Sequence, residues 1–225
     1  MVDYDMPGER YRDSTLQTSL TAIRHPRILP ELLKFRVGKR FSRFDIPEFL
    51  KDFRKNPDKK GLERMFPEED SEMREKLGDS IRNADLSRYS VKYHFGKGES
   101  FFDNYRNRVY GDVNLKFILQ HSNQYSAAIG FEFTSKGILI PQIQGVPNKK
   151  KSLQPIKWSR ALIRLVSNWA EEMGIPEVSV LPISRNYWDR VSGNIGGQKM
   201  LYDVSAKREG FKHDSERMLF VKSLK

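Results

Sequence analysis

The chain has 225 residues, of which 38% are hydrophobic, so it is long enough to bury a substantial core. It contains no cysteine, which excludes disulfides, thiolate metal sites and a cysteine nucleophile. Its apolar runs are far shorter than the ~18 residues of a membrane span, and its acidic N-terminus does not resemble a signal peptide. Its four histidines are scattered, so no metal site is predicted. These features predict a cytoplasmic protein.

The formal net charge of +11 is distributed unevenly along the chain. Lys and Arg outnumber Asp and Glu by 21 to 12 over residues 91–225, against 19 to 17 over residues 1–90. Such an excess favours an anionic partner, either a phosphorylated small molecule or a nucleic acid. A basic surface that only keeps the protein soluble is the alternative.

Residues 1–88 are predicted to form a mainly helical N-terminal segment. Asp45 and Glu48 have the spacing of a capping box at a helix start. Asn56-Pro57 marks the end of that helix. Further helices are predicted over residues 29–35 and 68–82.

From residue 89 the hydrophobic pattern changes from helical to alternating, which predicts strands. Residues 134–137 have the composition of a hairpin turn. The amphipathic segment Lys157–Met173 is the clearest helix, and its position predicts a crossover between two parallel strands. Strands are predicted over residues 89–95, 115–119, 125–133, 138–146, 178–183 and 217–221, and a second helix over residues 199–209.

The junction between the fourth strand and the long helix has the features of an anion site. The loop over residues 147–156 carries Lys149, Lys150 and Lys151 and leads directly into the helix N-terminus. Unpaired backbone N–H groups and the helix dipole attract negative charge at such a terminus. We therefore expect a phosphate-bearing ligand at this loop.

In this order of elements, residues 89–225 resemble the GNAT superfamily of acyl-CoA-dependent N-acyltransferases. Gln154 matches the first position of the family's Gln/Arg-x-x-Gly-x-Gly/Ala loop, and Ser159 is a small residue at the last. Arg160 follows as in the family's usual helix opening, and Asn186 matches an Asn beyond the next strand. The pair Gly210-Phe211 matches the end of the family's last helix.

The resemblance implies an α+β fold, in which a twisted mixed sheet of GNAT type is flanked by helices. It divides the chain into a helical segment, residues 1–88, and an acyltransferase domain, residues 89–225. It implies transfer of an acyl group, acetyl in the first instance, from acyl-CoA to an amine by direct attack and without a metal. The residues implied to bind the acyl-CoA are Ile143, Gly145, Val146, Gln154, Lys157, Trp158, Ser159, Arg160 and Asn186.

The sequence departs from the family's pattern at positions that matter for chemistry. Lys157 replaces the middle glycine of the loop, and Ala206 stands where the family often has a proton-donating Tyr. Tyr202, one helical turn earlier, is therefore the candidate general acid toward the CoA thiolate. Glutamines stand where many relatives carry a general base, which leaves Glu132 on the neighbouring strand as the candidate base. A packed core Tyr and an exposed strand carboxylate are the alternatives.

A second hypothesis is a non-catalytic module of the same fold that binds nucleic acid or a protein partner through a basic surface. Residues 24–60 contain twelve Lys and Arg against five Asp and Glu, interleaved with aromatic residues. Basic residues among aromatics suit phosphates and stacked bases. The alternative is that the Phe residues form a helical core and the Lys and Arg residues lie on its solvent-exposed faces. The aromatic residues are Phe35, Phe41, Phe44, Phe49 and Phe53.

Overall fold

A computed structural model describes the chain over residues 18–55, 60, 63, 70–96, 113–146, 149–186 and 199–224. Its helices include α1 (Ile28–Arg36), α2 (Ile46–Lys51), α3 (Ser71–Arg82), α4 (Lys150–Leu153), α5 (Trp158–Glu172) and α6 (Ser205–Arg208). Its strands are β1 (Tyr89–Phe95), β2 (Leu115–His121), β3 (Gln124–Phe133), β4 (Ile138–Gly145), β5 (Glu177–Val180), β6 (Lys212–Asp214) and β7 (Leu219–Ser223). Short 3-10 turns lie at Leu86–Arg88 and Ile183–Arg185, and a π-helix at Met200–Val204 precedes α6.

The strands form one mixed sheet in the order β1-β2-β3-β4-β5-β7-β6. Neighbours from β1 to β4 are antiparallel, whereas β4 and β5 are parallel and are joined through α5. The last strand, β7, lies between β5 and β6 and is antiparallel to both. A mixed sheet with a crossover helix is the predicted fold class, which is therefore confirmed, and the GNAT-like order of elements is present.

Helix α5 packs its apolar face on the sheet. Its buried side chains recur every three or four residues, and Trp169 in its last turn is fully buried. The Trp169 ring lies 5.4 Å from Phe131 and 5.7 Å from Phe117, centroid to centroid. Gly174, with φ of 73°, ends the helix in the left-handed conformation that glycine adopts without strain. The predicted bounds differ from the observed ones by one residue at each end.

The helices before β1 share the core of the sheet. Phe35 on α1 is fully buried and lies 4.6 Å from Tyr93 on β1 and 5.9 Å from Trp169 on α5, centroid to centroid. The predicted cap of α2 is confirmed, because the Asp45 carboxylate accepts the Glu48 N–H at 3.0 Å. The division of the chain between residues 88 and 89 coincides with the start of β1 and stays a prediction.

The structure differs from the sequence-based expectation near the C-terminus. The helix predicted over residues 199–209 begins as a π-helix and becomes α-helical only from Ser205. Strand β6 was not predicted, because three polar residues, Lys212–Asp214, carry no hydrophobic alternation. Its pairing with β7 places it at the sheet edge, where exposed polar residues are expected.

Candidate functional site

A bulge in β4 lies where its pairing with β5 ends, and the region beyond it, between β4 and the segment that follows β5, is called the gap here. Gly130 pairs with Gln142 and Glu132 with Leu139, so two residues of β4, Ile140 and Pro141, lie opposite one residue of β3. Pro141 has no N–H to donate to a ladder and is tolerated in a central strand only at such an irregularity. Pairing between β4 and β5 is recorded up to Ile140 and stops at the bulge.

The bulge turns the backbone of the following residues toward the gap. The Ile143 N–H points away from β3 and donates to the Tyr202 hydroxyl oxygen at 2.9 Å. Alternation along the antiparallel pair directs the Gly145 N–H to the same side, whereas the Val146 N–H bonds to the Ser126 carbonyl on β3. The N–H groups of Ile143 and Gly145 therefore face the gap. The N–H of Val146, the third predicted residue in this region, does not.

Tyr202 and Asn186 fill the gap together. The Asn186 amide nitrogen lies 3.2 Å from both the Pro141 carbonyl oxygen and the Tyr202 hydroxyl. Tyr202 is 3% exposed and Asn186 is 8% exposed. The structure thus brings three of the predicted site residues, Ile143, Asn186 and Tyr202, into one buried hydrogen-bonded group. The family resemblance indicated each residue but not their mutual contact.

The π-helix determines where Tyr202 points. Asp203 in the same turn accepts the Ile183 N–H at 3.0 Å and so connects the π-helix to the 3-10 turn that follows β5. The Ser205 hydroxyl donates to the Met200 carbonyl at 2.9 Å and lies 2.9 Å from the Ser159 hydroxyl on α5. Ser159, a predicted ligand residue, therefore anchors this segment to the helix.

The N-terminus of α5 carries two neighbouring cations. The Lys157 N–H donates to the Phe53 carbonyl at 3.0 Å, and the Lys55 N–H donates to the Pro155 carbonyl at 2.6 Å. This pairing brings Lys55 beside Lys157, and burial together with the charge of Lys157 lowers the pKa of Lys55. The first bond within α5 joins the Ala161 N–H to the Lys157 carbonyl, so the three N–H groups before it have no acceptor within the helix.

Gln154 lies in the same loop with a buried and unpaired amide. It is 7% exposed, and neither its amide oxygen nor its nitrogen has a hydrogen-bond partner among the described residues. A buried polar group without a partner costs about 1–3 kcal/mol, so this unpaired amide is an energetic cost in the structure as it stands. The positive pair Lys55 and Lys157 at a helix N-terminus makes the loop suited to an anion. Lys55 was missed from the sequence because it lies about 100 residues away and reaches the loop only through tertiary pairing.

Two other predicted ligand residues are engaged within the protein. The Trp158 ring packs against Gly145, where an added Cβ would come 3.1 Å from the ring. The Arg160 Nε donates to the Glu209 carboxylate at 2.6 Å, and the Arg164 Nε donates to its second oxygen at 2.7 Å. Glu209 is 6% exposed, so this bridge holds α5 to α6 rather than facing a ligand.

Glu132 lies away from this group. Glu132 pairs with Leu139 on β4. Leu139 lies four residues before Ile143, so the two positions are roughly 13 Å apart along the strand. The Glu132 side chain lines a separate cavity of about 520 Å³ beside α1, with Leu115 and Phe131 in the wall. The structure therefore does not bring the candidate base to Tyr202, and the role of Glu132 stays a prediction.

The lysines of the predicted anion loop face a different cleft. Lys149 and Lys151 line a cleft of about 330 Å³ together with Arg88 and His121. The Arg88 Nε donates to the Ser122 hydroxyl at 2.8 Å, which holds the guanidinium at the cleft. Burial and the charges of Arg88 and Lys149 lower the pKa of His121, although Asp85 opposes this. The cleft is therefore a second concentration of positive charge.

The described part of the chain contains no group of three or more His, Asp or Glu side chains able to hold a metal ion. Among its helices, none is long and apolar enough to cross a membrane.

Among solved structures, the chain is similar to two acetyltransferases. A probable acetyltransferase from Staphylococcus epidermidis aligns over 83% of this chain and 98% of its own, with 12% identity and a TM-score of 0.33. Gcn5 from Tetrahymena aligns over 80% of this chain and 86% of its own, with 9% identity and a TM-score of 0.28. No protein-family model and no curated protein sequence matches the chain.

Proposed function

We propose that the protein is a cytoplasmic acyltransferase that moves an acyl group from acyl-CoA to an amine by direct attack, with acetyl-CoA as the first donor to test. The observation that carries the proposal is the gap beyond the β4 bulge, toward which the Ile143 N–H points from a bulged strand. A thioester carbonyl oxygen in this gap would accept that hydrogen bond. The bond strengthens as negative charge develops on the oxygen during attack, which lowers the barrier.

The reaction needs no covalent enzyme intermediate. The amine nitrogen forms a bond to the thioester carbonyl carbon, the carbon–sulfur bond breaks, and CoA leaves as a thiolate. The amine loses a proton and the thiolate gains one. Holding the amine and the thioester in line supplies much of the acceleration, so the chemistry does not depend on a single acid or base.

The phosphates of CoA are assigned to the N-terminus of α5. The Lys55 and Lys157 ammonium groups repel one another there, and a bound anion relieves this repulsion. The helix dipole acts in the same direction, because it favours negative charge at the helix N-terminus. Lys157 in the glycine position thus contributes charge to the site.

Calorimetric titration of acetyl-CoA and free CoA tests the proposal. Replacing both Lys55 and Lys157 by Gln removes two positive charges and is expected to weaken binding of both ligands about tenfold or more. Lys136→Gln is the matched control, because Lys136 is an exposed lysine in the β3–β4 turn at the other end of β4. Absence of acetyl-CoA and CoA binding to the wild-type protein would show the proposal to be wrong.

Nucleic-acid binding is the second candidate function, and the cleft of Arg88, His121, Lys149 and Lys151 favours it. The aromatic residues of segment 24–60 do not support nucleic-acid binding in the same way. Phe35, Phe41 and Phe53 are at most 2% exposed and therefore cannot stack on bases.

A titration with single-stranded and duplex oligonucleotides at two salt concentrations separates the two functions. Steeply salt-dependent oligonucleotide binding, lost in an Arg88→Gln, Lys149→Gln variant and accompanied by no CoA binding, supports the second.

A further inference from the structure

The Tyr202 hydroxyl takes the hydrogen bond that the proposed function assigns to the thioester. It accepts from the Ile143 N–H at 2.9 Å and lies 3.2 Å from the Asn186 amide nitrogen. A backbone N–H has one proton and makes one well-aligned hydrogen bond. The Tyr202 hydroxyl and a thioester carbonyl oxygen therefore cannot both occupy this position.

We propose that Tyr202 is a positioning residue that fills the acyl site of the unliganded protein and competes with the thioester carbonyl for the Ile143 N–H. This inference rests on the proposed function. A buried N–H without a partner is costly, and the Tyr202 hydroxyl satisfies it until the acyl group arrives. The role differs from that of a general acid, because it acts on binding before any bond is broken.

The segment that carries Tyr202 lies at a change of helical geometry. Residues Met200–Val204 form a single π-helical turn, in which each hydrogen bond spans one more residue than in an α-helix. The next residues, Ser205–Arg208, are α-helical. Conversion of the π-turn to α geometry rotates the Tyr202 side chain about the helix axis while β4 stays in place. Such a conversion gives the hydroxyl a way out of the gap.

Comparing the binding of acetyl-CoA with that of free CoA tests whether Tyr202 competes for the Ile143 N–H, since only acetyl-CoA has a thioester carbonyl oxygen. In a Tyr202→Phe variant the ring remains and the competing oxygen is lost. We expect its Kd for acetyl-CoA to fall about tenfold, while the Kd for CoA stays within about twofold of the wild-type value. Tyr93→Phe is the control, because Tyr93 is also a buried Tyr whose hydroxyl bonds elsewhere, to Glu31. It is expected to change neither Kd.

The possible outcomes distinguish failure of the inference from failure of the proposed function. If the wild-type protein binds acetyl-CoA and Tyr202→Phe binds it no more tightly, the inference is wrong and the proposed function stands. Equal tightening for acetyl-CoA and CoA also overturns the inference, because the effect is then steric. If the wild-type protein binds neither ligand, the proposed function itself is wrong and the inference falls with it.

A measurement on the wild-type protein covers the case in which the variant does not fold. With tyrosines labelled with 13C at the ζ carbon, the NMR signal of Tyr202 is expected to shift on addition of acetyl-CoA and to shift far less with CoA. An unchanged Tyr202 signal at saturating acetyl-CoA overturns the inference.

Discussion

The buried carboxylate of Glu31 is expected to make the stability of this protein depend on pH in the acid range. Glu31 on α1 is 1% exposed and accepts hydrogen bonds from Lys34 at 2.7 Å, from Arg43 at 3.0 Å and from the Tyr93 hydroxyl. Burial raises the pKa of Glu31, but the hydrogen bonds from Arg43, Lys34 and Tyr93 outweigh burial and lower it to about 2. The folded protein therefore favours the ionised form.

The size of the effect follows from the difference between the folded and unfolded states. The pKa of Glu31 falls from its usual 4.5 to about 2 on folding, which corresponds to about 3 kcal/mol of stability. Because the folded pKa is the lower one, the unfolded chain binds the extra proton at acid pH. The contribution is complete above the unfolded pKa of 4.5 and is lost as the pH falls from there toward 2.

Denaturation by guanidinium at several pH values between about 6 and 2.5 measures this contribution. Glu31→Gln removes the titrating group, so the free energy of unfolding of the wild type should exceed that of the variant most at the highest pH. The difference should shrink by about 2.5 kcal/mol between pH 6 and pH 2.5. Glu172→Gln is the control, since Glu172 bonds the same Arg43 but its side chain is 40% exposed. A difference between wild type and Glu31→Gln that does not vary with pH would refute the reasoning.

Two further predictions concern stability. Gly137 has a positive φ, and a Cβ there would overlap the Glu177 carbonyl oxygen, so Gly137→Ala should lower the free energy of unfolding by about 2 kcal/mol or more in a denaturant titration. Glu209→Gln breaks the buried carboxylate bridge to Arg160 and Arg164 and should cost about 3 kcal/mol, measured in the same way.

Neighbouring exposed residues provide matched controls for both. Lys136→Ala changes the same turn as Gly137 without a backbone conflict, and Glu171→Gln removes an exposed carboxylate from the helix that Glu209 anchors. Each control is expected to alter the unfolding free energy by less than about 0.5 kcal/mol. A glycine or glutamate variant as stable as its control would contradict the corresponding packing or ion-pair explanation.

The elements that the sequence predicted are those whose signal is local. The period of apolar residues in α5, the alternation in β1 to β4 and the cap at Asp45 depend on neighbours within a few positions. Strand β6 was missed because its formation depends on pairing with β7 and not on its own composition. The π-helix before α6 was missed because its hydrophobic spacing does not differ visibly from that of an α-helix.

The candidate site was predicted only as a set of residues. The family resemblance indicated Ile143, Asn186 and Tyr202 separately, each by its position in the order of elements. Their hydrogen-bonded grouping depends on the β4 bulge at Pro141, which sets the direction of the Ile143 N–H. Position along the chain could not show that Glu132 lies several residues away on the far side of that bulge.

The sequence by itself determined the mixed sheet, the crossover helix and the excess of positive charge, because periodicity and composition act over short distances or need no geometry at all. Only the tertiary structure decided which groups meet. It brought Lys55 to Lys157 through backbone pairing between distant segments, and it placed the Tyr202 hydroxyl on the Ile143 N–H. The physical reason is that such contacts depend on register and packing between elements far apart in sequence, and a register shift of one residue reverses the direction of a backbone N–H.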